Sequence, residues 1–159
     1  MEESICIDKM KFRSHQMNQD ILNILPYEEP FLFVDTLDEV SEEGVRGTYR
    51  YSKDSDFYKG HFKDFPVTPG VILTETMAQI GVVSLGIFLL RDKIQDGFPK
   101  IAMTSTAVDF FIPVYPGERV EVVSKKEIWR FGKLRCFVQM FNEKEELVSR
   151  GKISGMVQL

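Results

Sequence analysis

The chain contains few of the residues that form disulfides or bind metal ions. Its 159 residues include two cysteines, Cys6 and Cys136, and two histidines, His15 and His61. The cysteines lie far apart and form no CxxC pair, so a disulfide framework is not indicated. No second histidine lies near His61 and Asp64, and no metal site is expected. Cys136 alternates with apolar neighbours, which predicts a buried strand position in a reducing compartment.

A positive net charge is also missing. The chain has 20 lysines and arginines against 24 aspartates and glutamates, which gives a net charge of −4. It therefore lacks the basic footprint of a nucleic-acid-binding protein, and no such partner is expected. Residues 1–16 are polar and lack the apolar stretch of a signal peptide, so we expect a loose extension and a cytoplasmic protein. The length fits one domain over residues 1–159.

One apolar run, residues 71–90, is long enough to cross a membrane. It contains Glu75 and Gln79, however, and a charged residue within a membrane span costs free energy. We therefore interpret the run as a helix buried inside a soluble fold and expect no membrane span. Thr68 is the predicted N-cap of this helix, with Pro69 at its first position.

The remaining pattern predicts an α+β fold. Residues 18–25 have apolar side chains at helical spacing, and residues 52–70 form a long irregular segment. Alternation of apolar and polar residues predicts strands at 31–40, 45–51, 101–111, 118–129, 133–142 and 146–157. A single long apolar helix must be covered on most sides, so we expect an antiparallel sheet to wrap around it.

Glu75 is the most informative residue of the apolar helix. Burying an unpaired carboxylate costs free energy, and such a group is often held in its protonated form, from which it can donate a proton. Gln79 lies one helical turn further on, on the same face, where its amide can bind the carboxyl group or a bound substrate. A carboxylate that faces solvent or pairs with a lysine is the alternative interpretation.

A second group of candidates lies just before Glu75. His61, in the irregular segment, can act as a general base near neutral pH, although a surface histidine has the same pattern. The first backbone N–H groups of the helix, at Gly70 and Val71, are unpaired donors that can polarise a carbonyl group. An acid, a base and such donors suit the elimination of water from a 3-hydroxyacyl thioester. Spacing alone leaves this as one option among several.

The segment from His61 to Gln79, HFKDFPVTPGVILTETMAQ, resembles a family signature that reads GHFPxxPVMPGVLxxEAxAQ. The signature belongs to the hot-dog-fold 3-hydroxyacyl-acyl-carrier-protein dehydratases of fatty-acid synthesis, and the spacing of His61 and Glu75 matches it without a gap. Three further segments resemble the same family: LPYEEPFLFVD from residue 25, FYKG from residue 57 and FFIPVYPGE from residue 110.

The resemblance implies a hot-dog fold and an active site shared between two subunits, His from one and Glu from the other, in a dimer or a trimer of dimers. It implies that His61 removes the α-proton, that Glu75 protonates or positions the β-hydroxyl group, and that the Gly70 N–H holds the thioester carbonyl. Further residues that it implies in substrate binding or support are Phe62, Val67, Pro69, Val71, Gln79, Phe110 and Phe111. No metal or dissociable cofactor is implied, because the acyl chain rides on the phosphopantetheine of acyl carrier protein.

The chain departs from the family pattern at several positions. Tyr27 and Glu28 replace a His-Arg pair. Asp109-Phe110-Phe111-Ile112 replaces a strand rich in arginine, whose basic residues are thought to contact the acidic carrier protein. Lys59 and Lys63, which flank His61, are candidates to replace them, and solvated surface lysines are the alternative interpretation. Phe110 and Phe111 suggest an altered acyl pocket, with core packing as the simpler role for both.

Other functions stay open on the sequence. A hot-dog thioesterase uses the same fold, and a non-catalytic acyl-binding subunit retains the fold without turnover. Ser84 lies in VSLG rather than in a GxSxG elbow, so a serine hydrolase is not indicated. The presence of both His61 and Glu75 favours the dehydratase.

Overall fold

The computed structural model describes residues 14–95 and 97–158. Two long helices and one short 3-10 helix, Asp56–Lys59, lie in this part of the chain. Helix α1 covers residues 14–24 and helix α2 covers Gly70–Leu90. The strands are β1 (Thr36–Ser41), β2 (Gly44–Arg50), β3 (Lys100–Phe110), β4 (Arg119–Arg130), β5 (Lys133–Phe141) and β6 (Leu147–Gln158).

The strands form a single antiparallel sheet in the order β1-β2-β4-β5-β6-β3. Strands β4, β5 and β6 are consecutive hairpins, whereas β3 pairs only with β6 and forms one edge. The sheet wraps around α2, which contacts β2, β4, β5 and β6. The predicted α+β fold, with a sheet around one long helix, is therefore confirmed, and it is the hot-dog arrangement.

Alternate residues of β5 show why the sheet curves onto the helix. Leu134, Cys136, Val138 and Met140 are buried against the core, and the residues between them are partly exposed. Gly81 of α2 packs directly on this face: a Cβ atom at Gly81 would lie 3.0 Å from a methyl carbon of Val138. The absence of a side chain there lets the helix pack close to the sheet.

Helix α2 is not regular throughout. Gln79–Val83 forms a π-helical turn, in which the Ser84 N–H and hydroxyl group both donate to the Gln79 carbonyl. Such turns occur frequently at functional sites. The helix is long and apolar enough to cross a membrane, but most of it is buried inside this fold. It is the core helix of a soluble fold, as predicted.

Three local predictions are wrong. Residues 31–35 do not form a strand, and β1 begins only at Thr36, because the backbone of Phe31 and Phe33 bonds to a side chain of α2 instead of to another strand. Thr68 does not cap α2: the helix begins at Gly70 with Pro69 as N-cap, and the Thr68 hydroxyl bonds to Tyr58. Helix α1 also extends to residue 14, into the segment that we predicted to be loose.

Strand β3 is unusual among the six because it has little cover. Nine of its eleven residues are exposed, and the large apolar side chains of Met103 and Phe110 are among them. An edge strand with free backbone groups can pair with another strand. Cys136 is buried in β5, as predicted, and Cys6 lies outside the described residues.

Candidate active site

The first turn of α2 lies directly under an aromatic ring. A Cβ atom at Gly70 would lie 3.3 Å from Cζ of Phe110, so only glycine lets the ring approach this closely. No side chain caps this end of the helix. The backbone N–H groups of Gly70 and Val71 therefore point out of the helix start without intrahelical partners, at its positive end.

Glu75 lies one turn further along α2 and is held by a buried amide. Gln79 Nε2 donates to Glu75 Oε1 (2.9 Å) and to the Phe31 carbonyl (3.0 Å), and Gln79 Oε1 accepts from the Phe33 N–H (2.8 Å). These three partners fix the orientation of the amide, because a flipped amide would turn its oxygen toward the carboxylate. The predicted contact between Gln79 and Glu75 is therefore present, and Gln79 also ties residues 31–33 to the helix.

Glu75 faces a cavity of about 210 Å³ between α2 and the sheet. The cavity extends along α2 and is bordered by strand β3, so it lies beside the uncovered edge of the sheet. Most of the side chains that line it are apolar. The lining residues are Tyr27, Glu75, Ala78, Val82, Val83, Ile101, Ala102, Met103, Leu134, Ile153, Ser154, Gly155, Met156 and Val157. An apolar chain whose polar end meets a carboxylate fits this arrangement.

Tyr27 lines the same cavity, and the sequence did not indicate this role. Burial, and after it the negative charge of Glu75, raises the pKa of the Tyr27 phenol to about 12. The phenol therefore keeps its proton at neutral pH and remains a hydrogen-bond donor. The only signal in the sequence was the departure of Tyr27 from the family pattern, which by itself gave no position in the fold.

His61 is held through its own loop rather than through α2. Its Nδ1 atom lies 2.8 Å from the Val67 carbonyl oxygen, and the Val67 N–H donates to the His61 carbonyl. A carbonyl can only accept, so Nδ1 carries the proton and the neutral ring presents Nε2 as the free base. The ring stacks on Phe62, with 4.2 Å between the centroids. Val67 thus orients His61 through its backbone.

Within one chain these two candidates are not brought together. Among residues 14–95 and 97–158, His61 makes no hydrogen bond to Glu75, and the cavity beside Glu75 is not lined by His61. Glu75 lies beside the exposed β3 edge, and His61 lies in the loop that precedes α2.

Comparison with known proteins now decides the family. A family model described as a FabA-like domain matches residues 25–149. The chain belongs to the FabA-like family. Its relatives include 3-hydroxyacyl-(acyl-carrier-protein) dehydratases named FabZ. The protein from Petrotoga mobilis is 34% identical over 68% of this chain and 77% of its own length. The protein from Clostridium perfringens is 34% identical over 75% of this chain and 86% of its own length.

Solved structures share the fold of this FabA-like chain at low sequence identity. The dehydratase heterocomplex ApeI:P from Xenorhabdus doucetiae matches with a TM-score of 0.74 and 13% identity, over 87% of this chain and 91% of that chain. A hypothetical thioesterase from Streptococcus pneumoniae, solved with coenzyme A, matches with a TM-score of 0.55 and 11% identity, over 77% of this chain and 84% of that chain.

Phe110 and Phe111, at the end of β3, lie at the surface of this FabA-like chain. The prediction that both pack in the core is wrong, because 48% and 51% of their surface is exposed. Phe110 covers Gly70, and the Arg150 guanidinium lies 5.5 Å from the centre of the Phe111 ring. Both rings therefore lie at the surface, and that of Phe110 lies over the start of α2, where it can contact a ligand or a partner.

The other predicted residues differ in exposure. Pro69 is buried, whereas Val71 and Phe62 are exposed. Lys63 is exposed, and Lys59 forms a surface ion pair with Asp56 (2.7 Å). This pair raises the pKa of Lys59, first through the hydrogen bond and then through the charge of Asp56. Within the described ranges, no three metal-ligating side chains come close enough together to hold an ion.

Proposed function

We propose that this FabA-like chain removes water from a 3-hydroxyacyl thioester on acyl carrier protein and forms the trans-2-enoyl thioester. The observation that carries the proposal is Glu75, whose carboxylate is oriented by Gln79 at the mouth of an apolar cavity. His61 supports it, because its Nδ1–H is bonded to Val67 and its Nε2 is left as a base. The family and the FabZ relatives agree with the same chemistry.

The mechanism assigns one proton to each residue. His61 Nε2 removes a proton from Cα, while the Gly70 N–H and the positive end of α2 stabilise the negative charge that develops on the thioester oxygen. The Cα–Cβ double bond forms as the Cβ–O bond breaks. The Glu75 carboxylate takes up a proton before this step and gives it to the departing oxygen, which leaves as water, so that the carboxylate is formed again. His61 then releases the α-proton to solvent. No dissociable cofactor takes part.

The acid and the base belong to different subunits in this proposal. His61 and Glu75 do not share a cavity within one chain, and the cavity at Glu75 borders the exposed strand β3. Pairing of β3 with β3 of a second copy would satisfy its free backbone groups and cover apolar side chains such as Met103. The loop that carries His61 of one copy would then complete the site at Glu75 of the other.

The proposed partner is an acyl carrier protein whose phosphopantetheine arm brings the acyl chain to the start of α2. Lys59 and Lys63 flank His61 and supply positive charge for the acidic carrier, although Lys59 must give up its contact with Asp56 to do so. The exposed ring of Phe110 lies over Gly70 at this helix start. We place the reaction in the cytoplasm, in fatty-acid synthesis or a related acyl-chain pathway.

The experiment mixes the purified protein with 3-hydroxybutyryl carrier protein and follows the loss of water by mass spectrometry. His61→Ala and Glu75→Ala are measured beside the wild type. We expect turnover by the wild type and its loss in both variants, because each removes one of the two proton-transfer groups. If the folded wild type turns over neither this substrate nor longer or aromatic 3-hydroxyacyl carriers, the proposal fails. A thioesterase or a non-catalytic acyl-binding subunit then becomes the better interpretation.

A further inference from the structure

The segment that follows Tyr27 is held in place by the side chain of Gln79. Gln79 bonds to the backbone at Phe31 and Phe33 and, through the same amide, to Glu75. The segment that carries Tyr27 is thereby tied to the turn of α2 that carries the carboxylate. The backbone at Phe31, four residues after Tyr27, and the carboxylate of Glu75 are thus held by the same amide.

The cavity offers a ligand few polar side chains. Of the residues that line it, only Tyr27, Glu75 and Ser154 have polar side chains, and the others are apolar or glycine. Tyr27 and Glu75 line the same cavity, and burial, followed by the charge of Glu75, raises the pKa of Tyr27, so the phenol keeps its proton. The cavity thus presents an O–H donor beside the carboxyl group, and the proposed mechanism has not used it.

The substrate class supplies an acceptor for this donor. The β-hydroxyl group of a 3-hydroxyacyl thioester must lie at Glu75 to receive its proton, and its oxygen has a second lone pair. A saturated acyl thioester has no oxygen at this carbon. A donor placed beside Glu75 can therefore distinguish the two acyl groups, because a polar site that hydrogen-bonds a hydroxyl group disfavours the analogue that lacks it.

We infer that Tyr27 is a substrate-binding and specificity-determining residue, whose phenol donates a hydrogen bond to the β-hydroxyl oxygen while Glu75 protonates it. The inference rests on the proposed function. Tyr27 transfers no proton: it holds the leaving oxygen in line with the acid, and Glu75 and His61 carry both proton transfers. The phenol is thus the part of the site that recognises the 3-hydroxyl group.

The test compares Tyr27→Phe with a matched control, Tyr49→Phe. Both variants remove one phenol oxygen and keep the ring. Burial and nearby carboxylates also raise the pKa of Tyr49 to about 12, but Tyr49 lines a different groove, away from Glu75. For each protein, kcat/KM for 3-hydroxybutyryl carrier protein is measured, together with the inhibition constant of butyryl carrier protein, which lacks the hydroxyl group. Thermal melting shows whether each variant is folded.

We expect Tyr27→Phe to lower kcat/KM by about tenfold and to leave the inhibition constant within about twofold, because one hydrogen bond to the hydroxyl group is lost. Tyr49→Phe should leave both values within about twofold. The inference is overturned if Tyr27→Phe keeps the wild-type kcat/KM. It is also overturned if the substitution weakens butyryl carrier protein binding by the same factor as it lowers kcat/KM, as a structural role would. A wild type that releases no water overturns the proposed function, and the inference with it. An active wild type with an unaffected Tyr27→Phe overturns the inference alone.

Discussion

Gln79→Leu tests the network that orients Glu75. The substitution keeps most of the side-chain volume and removes all three hydrogen bonds of the amide, to Glu75, Phe31 and Phe33. The Phe33 N–H is buried and loses its partner, whereas the Phe31 carbonyl is partly accessible. A buried polar group without a partner costs about 1–3 kcal/mol, so we expect a total loss of about 2–4 kcal/mol in unfolding free energy.

This loss should lower the melting temperature by roughly 4–16 °C for a domain of this size. Activity should fall separately, by about tenfold to a hundredfold in kcat, because the carboxyl group is no longer held in place. Urea denaturation and dehydration kinetics measure the two effects. Gln139→Leu is the control, since Gln139 lies on β5, is only partly buried, and should change stability by less than about 0.5 kcal/mol. A Gln79→Leu protein with wild-type stability and kcat would refute the network.

Three further predictions concern the cavity, the core thiol and the carrier. Gly155→Val should lower turnover of long acyl chains more than of short ones in a chain-length series, because its side chain would enter the cavity; equal loss for all lengths would contradict this. Burial raises the pKa of Cys136 from 9.0 to about 12. The thiol therefore ionises first in the unfolded state, so stability should fall above about pH 9 in urea titrations, and less steeply in Cys136→Ala. The double substitution Lys59→Glu with Lys63→Glu should raise KM for carrier-bound substrate but not KM for a small thioester. The control Arg130→Glu should change neither KM. Equal effects on both substrates would count against the carrier contact.

Much of the fold could be predicted because the strands alternate. In β5, Leu134, Cys136, Val138 and Met140 mark the buried face directly, and the predicted bounds of β3 to β6 differ from those observed by about one residue. The contact between Gln79 and Glu75 followed from helical spacing alone. Local periodicity therefore determines both the layers of the fold and the neighbours within α2.

The remaining features depend on contacts between distant segments. The apolar run from Phe31 looks like a strand, yet its backbone bonds to the side chain of Gln79, 46 residues away from Phe33. Thr68 has the residue type of an N-cap, but its hydroxyl group is hydrogen-bonded to Tyr58 instead. The sequence around Tyr27 has no pattern that predicts its position. Tyr27 lies in the cavity beside Glu75 because Gln79 binds the backbone of the same segment to α2. No local rule predicts such long-range partners.

The claim at the centre of this account is that His61 of one copy acts with Glu75 of another. The most direct measurement mixes inactive His61→Ala and Glu75→Ala proteins after unfolding and refolding them together, and records dehydration of 3-hydroxybutyryl carrier protein. In a mixed dimer one of the two sites has both residues intact, so random assortment should restore about a quarter of wild-type activity. If acid and base acted within one chain, no site in the mixture would be complete. A refolded mixture that stays inactive while refolded wild type is active would contradict the shared site.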